Sequence, residues 1–474
     1  MSGNDLSPRK LTLGDGINTI ISLMIGSAIF KYAAEVDADI GNALAGLGIW
    51  LVAGLLALTG ALCYAELGTM IPGSGGEAQY LAKGFGPLVT YIFDWTNILI
   101  LKPGTIAVLI QSFTEYTLRL LSTFGWLPEA VDENKFLLRG IGCFGCLLVS
   151  YLAARAPKFS QRLMNVLTWS KVAALATIIL GGLVYFATSS SSPLIKTFTA
   201  SNTKITKTTS VFQIIVLTST ALRKGLWGFE GWNNLNLVAG DLQNPKRNLP
   251  LAIWISVTAV LGLYLSTMVG YYCVIPRDQF IDTNTAGIDF GQILSGAVFG
   301  DKWRWIGAAV MAAFVMGSTF SAALSSMVTS SEVIVLSAEN GNIPAMFGRV
   351  HPRLKTAGNA YWMQGFLAIL LMLIPLFFRD DDTTDVILDI YSFPVWIFYA
   401  LCATVLLLLR LRAPELERPY RVFISTPILF LLACAILISS SVASNWISVA
   451  GSFGVMALGI PVYFFVVNRK VGKK

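Results

Sequence analysis

Gly225-Leu226-Trp227-Gly228-Phe229-Glu230-Gly231-Trp232-Asn233-Asn234 interrupts an apolar stretch, from about Val211 to Val238, that is otherwise long enough to cross a membrane. A second interruption, Ile25-Gly26-Ser27-Ala28-Ile29-Phe30, lies in the stretch from about Leu13 to Glu35. Small residues let a helix unwind. Unwinding frees backbone N–H and C=O groups, which hydrocarbon does not tolerate unless they line a cavity. A half-helix N-terminus attracts a carboxylate and exposed carbonyls attract an ammonium. An amino acid carries both groups on one carbon. Close helix packing through small residues is the plain alternative. It explains the first motif alone better than the pair, because the second also holds Glu230, and a carboxylate inside a membrane is costly and a functional candidate by default.

Moving outward from these breaks, the rest of the chain is apolar in runs rather than stripes. Of 474 residues, 55% are hydrophobic and 13% charged, against about a quarter charged in soluble domains. Apolar runs include Leu44 to Cys63, Val166 to Tyr185, Leu251 to Tyr272, Gly365 to Phe378 and Ile424 to Ile438. A span needs roughly 20 apolar residues, which predicts an all-α integral membrane protein of about twelve transmembrane helices. The residues before the first span, Met1 to Lys10, are polar and short, so no cleavable signal peptide is expected.

Charge alternates along the spans. Basic residues gather at Arg9-Lys10, at Arg155, Lys158, Arg162 and Lys171, at Lys246-Arg247, at Arg349, Arg353 and Lys355, at Arg410, Arg412, Arg418 and Arg421, and at Arg469, Lys470, Lys473 and Lys474. Acids mark the opposite loops: Glu35, Asp37 and Asp39; Glu129, Asp132 and Glu133; Asp278, Asp282 and Asp289; Asp380 to Asp382 and Asp385. The positive-inside rule then puts the basic side and both termini in the cytoplasm. The net charge of +7 follows from topology and needs no nucleic-acid partner. One transporter domain is expected over 1-474: cytoplasmic N-terminus 1-12, helices one to five over 13-187, an extracytoplasmic Ser/Thr-rich loop over 188-210, helices six to ten over 211-408, a cytoplasmic loop over 409-420, helices eleven and twelve over 421-467, and a cytoplasmic C-terminus over 468-474.

Cys63, Cys143, Cys146, Cys273, Cys402 and Cys434 all lie in apolar segments. Cys143 and Cys146 form a CxxC with no second pair and no nearby histidine, so buried small residues are expected rather than a metal or redox site. His351, the only histidine, precedes a proline in a basic loop and reads as solvated. No nucleophile–base pair, metal cluster or phosphate loop is evident, so neither an enzyme nor a cofactor is expected.

Longer motifs carry a resemblance. Ile25-Gly26-Ser27-Ala28-Ile29-Phe30, the stretch Ala61-Leu62-Cys63-Tyr64-Ala65-Glu66-Leu67-Gly68 through Pro72 with Gly75-Gly76-Glu77, and Gly231-Trp232-Asn233-Asn234-Leu235-Asn236 followed by Asn244-Pro245 and Asn248-Leu249-Pro250-Leu251-Ala252-Ile253 resemble the L-type amino acid transporter family. Its members are the light chains of heteromeric amino acid transporters in the amino acid–polyamine–organocation superfamily, and the resemblance covers nearly the whole chain. It implies a LeuT-type 5+5 inverted repeat with helices one and six broken, alternating access, and usually sodium-independent exchange at the plasma membrane. It further implies that the substrate carboxylate meets the backbone at Gly26, Ser27 and Ala28, next to Ile25. The amino group would meet carbonyls near Met24 and Trp227, with Gly228, Phe229 and Glu230 adjacent. Trp227 resembles an aromatic gate; Asn233 and Asn234 lie just past the break, and Ser326 in span eight lies nearby or back-bonds to its own helix. Lys171 resembles a fifth-helix lysine standing in for a sodium ion; snorkelling to the cytoplasmic interface is the other reading. Glu66 is assigned to structure or gating.

The chain also departs from the family pattern. Ala28 stands where glycine is usual, Glu332 where arginine is usual, and Arg223-Lys224 where uncharged residues are expected. The two cations are expected to line an outer vestibule or to pair with Glu230. The loop from Ser122 to Phe136 holds no cysteine, which removes the light chains' covalent route to a heavy chain and leaves non-covalent association open. Glu230 in place of a glycine, with aromatic Trp227, Phe229 and Trp232, predicts neutral amino acids together with cationic ones. A non-transporting amino acid sensor of the same fold and an amine or polyamine permease are the competing readings. The first usually carries a long cytoplasmic tail, and the second would dispense with the carboxylate-binding break.

Overall fold

The computed structural model describes residues 11–71, 73, 75–127, 135–199, 210–374 and 383–467. The basic termini, the acids Glu129, Asp132 and Glu133, Asp380 to Asp382 and Pro72 lie outside the described residues. Among the described residues there is no strand. The single isolated bridge pairs Leu11 with Leu242, where Leu11 N–H donates to Asp241 O and Gln243 N–H to Leu11 O, both at 2.8 Å.

The helices in order are α1 (Leu13–Met24), α2 (Ala28–Ile40), α3 (Ala43–Met70), α4 (Glu77–Phe85), α5 (Pro87–Thr96), α6 (Lys102–Thr123), α7 (Lys135–Arg155), α8 (Pro157–Thr188), α9 (Leu194–Thr199), α10 (Val211–Trp227), α11 (Asn234–Leu237), α12 (Pro245–Val274), α13 (Arg277–Ile281), α14 (Ala286–Phe299), α15 (Arg304–Glu339), α16 (Gly358–Leu373), α17 (Thr383–Arg412), α18 (Ser425–Ser444) and α19 (Trp446–Val462). A wide π-turn, Asn97–Leu101, joins α5 to α6 as one apolar span, Pro87–Thr123. Nine helices among the described residues are long and apolar enough to cross a membrane, and the bent pair α1 and α2 makes a tenth span. The chain is a multi-pass membrane protein. Its lipid-sized surface agrees with this: Leu44, Val166, Trp169, Leu180 and Phe453 are exposed on long apolar helices.

Several expectations shift by a few residues for local reasons. Glu35, Asp37 and Asp39 are not in a loop, because α2 runs on to Ile40 and closes on Gly41 with φ of 75°. Lys171 is not in the basic loop either; it lies inside the continuous helix α8. The Ser/Thr-rich connection contains a helical turn, α9, and Ser192 Oγ donates to Cys273 O at 2.8 Å. The far side of the sixth-span break is short: α11 has four residues before a 3-10 turn.

Packing places the two breaks side by side. Helix α1 packs on α12, while α10 packs on α3. Helix α8 packs on α12 and α15, while α17 packs on α3 and α6. Helices α3 with α12, and α6 with α15, form the central contacts. Glycines set the closest approach: a Cβ on Gly182 would stand 2.7 Å from the Gly270 backbone, so only glycine admits this α8–α12 crossing.

Candidate functional site

The first break is made of backbone. Helix α1 ends where Ile25 turns extended, and α2 restarts after Ser27 at a bend of 50°. The Ser27 side chain makes no cap hydrogen bond to α2, and its buried hydroxyl has no partner among the described residues. The first amides of α2 therefore lack the side-chain cap that a helix start normally receives. The carbonyls on the other side of the break are claimed one by one. Lys171 Nζ donates to Ser22 O at 2.8 Å, and Ser318 Oγ donates to Gly26 O at 3.2 Å. The Tyr264 hydroxyl lies 2.9 Å from both Met24 O and Gly228 O. It has one proton to donate, so it bridges the two breaks by serving one carbonyl at a time.

The second break is made of side chains. After Trp227 the backbone continues through tight turns, with Gly228, Phe229 and Glu230 N–H donating to the carbonyls three residues back. Gly231, at φ of 111°, turns the chain against Leu23. This turn spreads Trp227, Glu230, Asn233 and Asn234 over one wall. Tyr399 Oη donates to Glu230 Oε1 at 2.7 Å, Asn233 Nδ2 donates to Glu77 Oε1, and the Trp227 ring meets Tyr391 edge-on at 5.0 Å.

Between the breaks lies a cavity of about 100 Å³, against the roughly 10–15 Å³ that one water needs. It is the size for a small solute rather than a bound water. Of the residues singled out from sequence, Met24, Gly26, Ser27, Ala28, Trp227, Glu230, Asn233, Asn234 and Ser326 line it. Ile25, Gly228 and Phe229 do not. Phe229 is fully buried against Trp50 and Tyr264, and the space beside Gly228 is filled by Trp50; both shape the break from behind. Ser326 Oγ makes no hydrogen bond with a described residue, whereas Ser330 and Ser331 bond back to Met327 O and Val328 O.

Sequence reasoning missed part of the wall. Asn97, Lys102, Glu77, Tyr391 and Tyr399 also line the cavity. They arrive from the α5–α6 span, α4 and α17. A charged residue beside the helix-unsettling Pro103 was the available signal for Lys102.

Arg223 and Lys224 are buried, and neither pairs with Glu230. Arg223 Nη2 stands 3.2 Å from Asp389 Oδ1 and donates to Ser444 Oγ at 3.1 Å, with Nη1 on Ser440 Oγ at 3.2 Å. Lys224 Nζ meets Glu35 at 3.0 Å, Asp39 at 3.2 Å and Asp385 at 3.6 Å. Their partners lie on α2, α17 and α18, so the two cations fasten α10 to those helices. Nearby, Lys31 Nζ lies 2.6 Å from Glu115. At the opposite, basic end, Arg410 grips both Glu66 oxygens and Val422 N–H donates to Glu66 at 2.8 Å. Glu66 is fully buried there and does not face the cavity. His351 Nδ1 accepts from Arg353 and Leu354 N–H, a turn cap. All six cysteines are free, and Cys146 Sγ sits 3.6 Å from Met372 Sδ.

A match to known proteins gives this geometry its context. The family model described as amino acid permease matches residues 17–467. The chain belongs to the amino acid permease family. It is 30% identical over 98% of its length to the b(0,+)-type amino acid transporter 1 of Mus musculus, covering 89% of that protein. It is 28% identical to the cystine/glutamate transporter of Homo sapiens, over 97% of this chain and 85% of that one. It is 29% identical to the large neutral amino acids transporter small subunit 2 of Mus musculus, over 96% and 80%. These relatives carry the L-type resemblance seen in the motifs. As a permease, the chain is a transporter and not an enzyme.

Proposed function

We propose that this permease exchanges neutral and cationic amino acids by alternating access, without sodium. The observation that carries the reading is the joint lining of one cavity by Ser27, at the bare start of α2, and by Glu230. The α-carboxylate would meet the uncapped amides at Gly26, Ser27 and Ala28. The α-amino group would meet the remaining lone pair of the Met24 carbonyl and the Trp227 carbonyl. Glu230 and the Trp227 ring would face the side chain. Lys171 supports sodium independence: its fixed ammonium already neutralises the end of α1, where a half-helix of a coupled transporter can hold a cation. Burial at 4% exposure and the bond to Ser22 O disfavour snorkelling.

Support for a LeuT-type inverted repeat of twelve spans comes from the packing. Exchanging the first five-helix half for the second turns the α1–α12 contact into α10–α3, and α8–α15 into α17–α6. We place the basic end and both termini in the cytoplasm of a plasma-membrane protein. A heavy-chain-like partner, if one is used, would bind non-covalently.

The test is uptake of labelled leucine and arginine into sodium-free proteoliposomes holding the purified chain alone. Uptake that requires amino acid preloaded inside supports exchange, and equal uptake into empty vesicles would replace exchange with uniport. Binding with no uptake of either label would favour a sensor. Glu230→Gln is expected to reduce arginine uptake at least tenfold more than leucine uptake; equal losses would remove its charge-selective role.

A further inference from the structure

Lys102 is the one cationic side chain on the cavity wall among the described residues. Its ammonium makes no hydrogen bond and no ion pair with any of them. Glu77, Glu230 and Glu332 are the carboxylates close enough to act on it. Glu77 and Glu230 both line the cavity, and each takes its hydrogen bond from a neutral donor, Asn233 and Tyr399 respectively. Neither acid is spent on the lysine. The backbone explains why Lys102 faces inward. Pro103 brings no N–H for the Leu99 carbonyl, and the helix widens into the π-turn, in which Lys102 N–H bonds to Asn97 O. A five-residue step nearly completes a π-turn, so Asn97 and Lys102 share one wall, whereas an α-helix would place them well apart.

We infer that Lys102 is a specificity-determining residue that holds back the preference for cationic side chains, an inference that rests on the amino acid reading above. With both carboxylates and the ammonium ionised, the wall carries a net charge of minus one. The backbone of a bound amino acid is zwitterionic and adds nothing. A cationic side chain therefore neutralises the wall and a neutral one leaves it negative, yet both are tolerated because Lys102 removes one of two negative charges. A lysine on a flexible stem suits this task, since it swings toward the acids when the side-chain pocket is neutral and away when a cation enters. Without it, two uncompensated carboxylates would demand a cation.

The experiment compares arginine and leucine uptake in the same proteoliposomes for wild type, Lys102→Met and Lys102→Arg. Lys102→Met is expected to raise the arginine-to-leucine ratio of kcat/KM roughly tenfold, while Lys102→Arg keeps it. An unchanged ratio in Lys102→Met, or an equal change in both variants, overturns the inference. Should methionine prevent folding, Lys102→Gln must raise the ratio and Glu77→Gln must lower it; failure of either direction is equally decisive. If wild type moves neither label, the amino acid reading itself has failed and this inference falls with it.

Discussion

The two breaks are built from opposite materials. At the first, the chain contributes bare backbone: three small or medium residues, a Ser27 hydroxyl without a partner among the described residues and carbonyls served by side chains from α8, α12 and α15. At the second, the amides after Trp227 are satisfied by their own turns, and the contribution is side chains, namely Trp227, Glu230, Asn233 and Asn234. Backbone groups recognise what every amino acid shares, and side chains recognise what distinguishes one from another. The division of labour predicts that damage to the first break lowers uptake of all substrates alike, while side-chain changes at the second alter the choice among them.

The largest effect should come from the residue that keeps the breaks adjacent. Gly231 holds φ of 111°, and a Cβ there would stand 3.0 Å from Leu23 Cβ and 3.2 Å from the Leu23 backbone. An L-residue in that region costs on the order of 1–3 kcal/mol before the clash is counted. Gly231→Ala is expected to cut leucine and arginine uptake together by more than tenfold, measured against the amount of monodisperse protein. A change confined to one substrate would mean that the second break selects through its backbone as well. Next comes Lys171→Met, which withdraws a charged donor from Ser22 O. Hydrogen bonds to charged groups are worth about 1.5–3 kcal/mol, so both uptakes should fall roughly tenfold or more with their ratio unchanged. Recovery of uptake on adding sodium would sharpen the case that the ammonium occupies a cation's place.

The legibility of these features in the sequence follows the same division. Breaks are visible because glycine, serine and a carboxylate are out of place in apolar runs, whereas Lys171 is marked by the resemblance alone, its charge grouping it with the basic loop until the fold sets it inside α8. The long apolar helices are legible from run length, but the short α4, α9, α13 and α14 are not, and α2 extends past its expected end because Asp37 and Asp39 remain helical up to the Gly41 cap. What stayed hidden depends on distant partners. Arg223 and Lys224 looked closest to Glu230 along the chain, but the unwound turn separates them and their acids come from α2 and α17. Glu77 and Tyr399 reach the cavity from α4 and α17, and nothing local marks them as wall residues. Tyr264 reads as one more aromatic in an apolar helix until the fold sets two carbonyls 2.9 Å from its hydroxyl.

Tyr264→Phe tests whether the breaks act as a pair. Removing the hydroxyl keeps the ring against Trp50 and Phe229 and withdraws the one donor shared by the Met24 and Gly228 carbonyls, at about 1–3 kcal/mol. Thermal stability of the purified protein should fall, and leucine and arginine uptake should fall together by several-fold, less than for Lys171→Met because no charge is lost.

The smallest effect is expected from Ser318→Ala. The Ser318 hydroxyl donates to Gly26 O at 3.2 Å, a long neutral bond of about 1 kcal/mol or less in net value. Gly26 O belongs to the same break as Ser22 O, so the loss should again be blind to substrate, roughly two- to fivefold in uptake of either label. Its size relative to Lys171→Met separates two views of the first break. If charge at the end of α1 sets the site, alanine at 318 costs far less than methionine at 171. If shape alone sets it, the two losses should be comparable, because each variant frees one carbonyl of the same unwound segment.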